Sequence, residues 1–122
     1  MGMQRHELEA WLGDDHGLTE DQIAELLRTA DEIDERYYDE DDDDDRETAL
    51  TAAYRLMVEA PEDLVAELAA ERTAARIAER KALIALRQVA VTRIRNGDAT
   101  EAGFADQAGV DRMSVRKWLG KR

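Results

Sequence analysis

The sequence predicts an all-α fold, with acidic helices in its N-terminal half and a long helix that leads into two short ones. Three observations carry this expectation. Ala, Leu, Glu and Arg are abundant, while Pro occurs once and aromatic residues make up 5% of the chain, a composition that favours helix over strand. Apolar residues recur three and four positions apart along most of the chain, the spacing of one helix face. Capping residues such as Thr19, Thr100 and Asp111, and stops such as Gly13 and Gly109, bracket those stretches. A length of 122 residues suits one domain, or one small domain with an extension.

Met3 to Leu12 reads as a short helix with Leu8, Trp11 and Leu12 on its apolar side, stopped by Gly13 and Gly17. The next helix is strongly marked. Thr19 caps it, Gln22 reaches back in a capping box, and Leu18 staples onto Ile23. Ile23, Leu26, Leu27, Ala30, Ile33 and Tyr37 then share one face, so this helix extends to about Tyr37. Seven consecutive acids, Asp39 to Asp45, follow. Their mutual repulsion and the poor helix propensity of Asp predict a solvated or partner-facing loop. A calcium loop is the sharper alternative, but the alternating ligands and central Gly of that motif are missing. A helix near Arg46–Glu59 comes next, with Leu50, Tyr54, Met57 and Val58 as its apolar face.

Ala60-Pro61-Glu62-Asp63 has the form of a helix start, with Pro at the first position and acids in the first turn. It divides an acidic helical region, 1–60, from a second region, 61–122. No breaker then occurs until Asn96-Gly97, which predicts a helix roughly 50 Å long. Leu64, Leu68, Ala75, Ala78, Ala82, Leu86 and Val89 form a stripe along it, either a dimer seam or a surface packed on the N-terminal helices. Leu83, Ile84, Leu86, Val91 and Ile94 are expected to build a core with Phe104, Val110, Val115, Trp118 and Leu119.

The last twenty residues carry the most specific pattern. Thr100 caps a helix with Phe104, Ala105 and Ala108 on one face, and Gly109 is suited to the left-handed conformation that closes it. Val110 re-enters the core, and Asp111 caps a second helix with Val115, Trp118 and Leu119 inward. In type and spacing, Phe104, Ala105, Ala108, Gly109, Val110, Val115 and Trp118 resemble the helix-turn-helix family of bacterial DNA-binding proteins. The resemblance covers about a sixth of the chain, and an ordinary helical hairpin with a Gly stop is the plainer reading.

The resemblance implies a three-helix domain without a wing, whose second short helix enters the major groove of double-stranded DNA. By position it assigns base reading to Arg112, Met113, Arg116 and Lys117, and phosphate contact to Thr100, Ser114, Lys121 and Arg122. The bland alternative is that these residues are the soluble face of a terminal helix. Glu101 departs from the pattern, since a carboxylate there would repel a phosphate.

Charge is segregated. Residues 1–63 hold 22 Asp/Glu and 5 Lys/Arg, whereas residues 64–122 hold 7 and 12. A net charge of −12 ordinarily disfavours nucleic acid, so the cationic half is the part to examine. Arg72, Arg76 and Arg80 repeat four apart on the long helix, a like-charge line that calls for an anion opposite. The anion is either DNA phosphate or the chain's own Asp39–Asp45 run; in the second case the acids weaken non-specific DNA binding.

Other chemistry finds little support. There is no cysteine, hence no disulfide, thiolate nucleophile or Cys-based zinc site. His6 and His16 with nearby carboxylates form neither a triad nor a spaced metal set. No cofactor, metal or catalytic residue is expected. The absence of a long apolar run or signal peptide makes a cytoplasmic, non-membrane protein the expectation. The leading reading is a small transcriptional regulator acting as a homodimer on half-sites about one helical turn apart. The alternative is an acidic protein-interaction module, or a DNA-charge mimic, that binds a basic protein.

Overall fold

A computed structural model of the chain describes residues 2–121. Six α-helices occur among them, with one 3-10 turn and no strand: α1 (Arg5–Leu12), α2 (Glu20–Arg36), α3 (Asp43–Val58), α4 (Pro61–Arg95), α5 (Glu101–Ala108) and α6 (Arg112–Trp118). No helix among the described residues is long and apolar enough to cross a membrane. The chain divides into two compact units, Met1–Leu68 and Ala69–Arg122. The division therefore falls inside α4 and not ahead of it at residue 60. The first two turns of α4 belong to unit 1, because Leu64 is buried and Glu67 pairs with Arg55 of α3.

Unit 1 is built from the local signals of α1 to α3. Thr19 caps α2, its hydroxyl accepting the Gln22 N–H at 3.2 Å while the Gln22 side chain accepts the Thr19 N–H at 2.9 Å. This reciprocal pair satisfies two of the helix's free donors. Ile23, Leu26, Ala30 and Ile33 bury one face of α2 against Leu8 of α1 and Leu50 of α3. Trp11 meets Tyr54 edge to face, with ring centroids 6.4 Å apart. The Tyr54 hydroxyl donates to the His16 carbonyl at 2.8 Å, and His16 Nδ1 accepts the Leu18 N–H at 2.9 Å. His16 thus braces the bend between α1 and α2.

The acidic run corrects the loop expectation for residues 39–45. Glu40–Asp42 form the 3-10 turn, and Asp43, Asp44 and Asp45 are the first turn of α3. Carboxylates there face the positive end of the helix dipole, which offsets part of their mutual repulsion. Arg46 adds the second cause. Its guanidinium donates to the carbonyls of Tyr37 and, at 2.8 Å, Asp39, and it pairs with Asp43. The run remains exposed apart from the half-buried Asp42. Val58, expected on the apolar face of α3, is 46% exposed.

In unit 2 the core is smaller than the sequence implied. Ala90 and Val115 are fully buried, Phe104 and Ala105 nearly so, and Leu86, Ile94, Ala108, Val110, Trp118 and Leu119 pack around them. Leu83 and Ile84, expected in this core, are 47% and 57% exposed. The physical reason is length: α5 and α6 have eight and seven residues, too short to cover more than a few turns of a 35-residue helix. Every residue of α4 from 65 to 85 is exposed.

Candidate functional site

The candidate site is the outer side of α5 and α6. Thr100 Oγ1 accepts the Gly103 N–H at 3.0 Å and starts α5. Gly109 ends it in the left-handed region, at φ 69° and ψ 31°. The Val110 N–H then donates to the Ala105 carbonyl at 3.0 Å, the long closing bond of a helix end of this type. Asp111 starts α6, its Oδ1 accepting the Met113 N–H at 3.0 Å. Three residues therefore turn the chain from one helix into the next. Below them Val115 anchors α6 in one buried cluster with Ala90 of α4 and Phe104 and Ala105 of α5.

With its inner face fixed, α6 presents Arg112, Met113 and Lys117 to solvent; Met113 is 49% exposed. Arg112 and Lys117 enter no ion pair among the described residues. Ser114 is half-buried. The Thr100 hydroxyl accepts the cap hydrogen bond with one lone pair and keeps its proton as a donor.

Arg116 is placed differently from the sequence assignment. Its Nη1 donates to Glu101 Oε1 at 3.0 Å, and Lys121 Nζ donates to Glu101 Oε2 at 3.1 Å. The Glu101 side chain is only 11% exposed. Its carboxyl is held below the usual carboxylate range, first by the Lys121 hydrogen bond and also by the charge of Arg116, against partial burial. Glu101, which the sequence marked as an obstacle to phosphate, is thus a clamp tying the start of α5 to the far end of α6. Sequence spacing does not reveal it, because the partners lie 15 and 20 residues apart across the turn. Arg122 lies outside the described residues.

Arg72, Arg76 and Arg80 are exposed and enter no ion pair among the described residues. Arg72 and Arg76 lie about five helical turns before Ala90 and Ile94, and so share their side of α4 roughly 27 Å away along the helix. The arginine line is therefore a separate basic patch and not part of the α6 surface.

Unit 1 offers a different kind of surface. An open cleft of about 360 Å³ is floored by Ala30, Ile33 and Leu50 and edged by Trp11, Asp34 and Glu47. Among the described residues no group of three or more His, Cys, Asp or Glu is arranged to hold a metal ion. Comparison of the chain with protein-family models, with characterised proteins and with solved structures gives no match, so its functional reading rests on its own residues.

Proposed function

We propose that this chain is a sequence-specific protein for double-stranded DNA, a small transcriptional regulator that reads the major groove with α6 and acts as a homodimer. In this reading α4, α5 and α6 form a helix-turn-helix domain without a wing. The observation that carries it is the pairing of a buried anchor with a free basic face. Val115 is fully buried, while Lys117 on the opposite side of the same short helix and Arg112 at its first position are exposed and without ion-pair partners among the described residues. Charge supports it as well: residues 69–122 hold twelve Lys/Arg and six Asp/Glu.

Roles follow from side-chain chemistry. Arg112 has the planar fork that pairs with the two major-groove acceptors of guanine. Met113 supplies an apolar contact for a thymine methyl, and Lys117 a point charge for a base edge or phosphate. Thr100 and Ser114 donate to phosphates, which fix register without reading sequence. The Arg72–Arg80 line serves a flanking phosphate backbone. Selection from a random duplex pool tests the whole reading: a recovered palindrome is expected, and recovery of sequences no different from the input would overturn it.

A second reading is favoured by unit 1. Its cleft joins an apolar floor to Asp34, Asp43 and Glu47, and Arg46 in the same rim is paired with Asp43, so Asp34 and Glu47 are the carboxylates that suit the aliphatic stem and charged head of a Lys or Arg. In that reading unit 1 binds a basic protein, whether or not unit 2 engages DNA. Binding that survives Arg112→Ala but is lost on Asp34→Asn with Glu47→Gln identifies it.

A further inference from the structure

Within unit 2, Ile84, Arg87, Gln88, Val91 and Arg95 recur along α4 at helical spacing and share one stripe. Trp118 of α6 stands across from them, and these six residues line an open groove of about 450 Å³. The groove joins an apolar strip to two cations. Ile84 is 57% exposed, while Val91 and Trp118 are half-buried. Arg87 and Arg95 are exposed and enter no ion pair among the described residues. No carboxylate lines the groove. The groove between α4 and α5 differs on this point, because its cation, Arg93, already donates to the Asp98 carbonyl at 3.0 Å.

From these observations we infer that the α4–α6 groove docks an acidic amphipathic helix of another protein. Charge and polarity together identify the occupant. Two unpaired guanidiniums with no carboxylate beside them call for an anionic partner. Ile84, Val91 and Trp118 call for apolar side chains, which the phosphate backbone of a nucleic acid does not offer. Spacing identifies the helical form. Arg87 and Arg95 lie eight residues apart, about 12 Å by helix rise, with Val91 midway. A helix with acids seven positions apart, about 10 Å, carries two apolar residues between them on the same face, in the pattern Glu-x-x-Leu-Leu-x-x-Glu. An extended segment would reach the same span in about four residues and turn every other side chain away, leaving one apolar residue for the strip.

Arg112 and Trp118 lie three positions to either side of Val115 on α6, and so leave it on opposite sides of that buried anchor. The groove therefore lies away from the Arg112 edge, and docking there does not depend on the DNA-binding reading.

Trp118 reports on the groove directly once Trp11 is replaced, because the chain has two Trp. Trp11→Phe keeps an aromatic ring beside Tyr54. In that full-length chain, an alanine-rich peptide of ~16 residues bearing the Glu-x-x-Leu-Leu-x-x-Glu pattern, long enough to hold helix in water, is titrated in. It is expected to shift Trp118 emission to the blue, with a Kd below about 1 mM. Arg87→Ala with Arg95→Ala, both exposed positions, should weaken binding roughly tenfold, the loss of two surface ion pairs, with an unchanged melting temperature. Peptides with Lys for both Glu, or Ala for both Leu, should give no saturable shift. No shift with the first peptide, equal binding of either control peptide, or full affinity in the double variant overturns the inference. So does a double variant that keeps the peptide and loses random duplex, which assigns both arginines to phosphate. Self-association of the parent chain that the double variant abolishes makes a second copy the occupant and overturns it too. No DNA enters the peptide titration, so a chain that takes the peptide yet ignores duplex sinks the regulator reading alone.

Discussion

A guanidinium reads a base only if reaching into the groove does not first cost it a partner. Arg112 meets that condition, being exposed and in no ion pair among the described residues. Arg116 does not, because its Nη1 lies 3.0 Å from Glu101. Arg112→Ala is therefore expected to weaken binding to the selected duplex by ~1–3 kcal/mol and to relax preference at one base pair, measured by fluorescence anisotropy on a panel of single-base variants. Arg116→Ala leaves Glu101 with Lys121 alone among the partners described, so its effect is expected first in the melting temperature. Glu101 gives a pH test. Its folded-state carboxyl lies below the ordinary value of 4.5, so the stability it supplies is complete above that pH and is lost as pH falls through the depressed value. Glu101→Gln should melt below the parent at pH 7, and the gap should close on acidification below about 4.5. A gap of constant size down to pH 3 would mean the clamp contributes no charge-dependent stability.

At the scale of elements, local signals were legible and coverage was not. Thr19 with Gln22, Thr100, Gly109 and Asp111 all act through groups within four residues, so their chemistry is written in adjacent sequence. Leu83 and Ile84 looked like core because they are apolar; which turns of a long helix get covered depends on where α5 and α6 end, and that is set by tertiary contact. Asp43–Asp45 looked like a loop because propensity counts repulsion among neighbours and omits the helix dipole and Arg46. The Glu101 clamp stayed invisible because its partners lie 15 and 20 residues away in sequence. Gly103 yields a sharp test at this scale. Replacing a helical Gly by Ala ordinarily stabilises by roughly 0.5–1 kcal/mol. Here the added Cβ would sit 2.9 Å from Thr100 Oγ1, and displacing that cap costs about 1 kcal/mol. Gly103→Ala should therefore be close to neutral in urea denaturation, whereas Gly109→Ala, at φ 69° with open space around it, should destabilise by about 1–2 kcal/mol through backbone strain alone. A full helix-propensity gain for Gly103→Ala would show that the Thr100 cap adds nothing.

At the scale of the whole molecule the governing feature is a charge imbalance that the sequence already showed: −12 overall, divided between an acidic first half and a basic second. The structure adds that the acids from Asp39 to Asp45 stay largely on the surface, with Arg46 the cation that folds back upon them. Exposed charge acts over the Debye length, about 30 Å at 0.01 M salt and 8 Å at 0.15 M. If unit 2 binds DNA, the acidic half opposes any duplex at low salt, whatever its sequence, and loses that influence as salt rises. Converting Asp41 to Asp45 into Asn preserves good residues for a helix start while removing five negative charges. The variant should bind random duplex more tightly than the parent at 0.01 M salt and indistinguishably at 0.15 M, with specific binding changed less. Its logarithmic salt slope should also be steeper than the parent's, since the parent gains from screening of its own repulsion while it loses counterion release. Equal affinities and equal slopes across that range would mean the acidic run has no electrostatic bearing on DNA, and would leave partner binding at the unit 1 cleft as its remaining use.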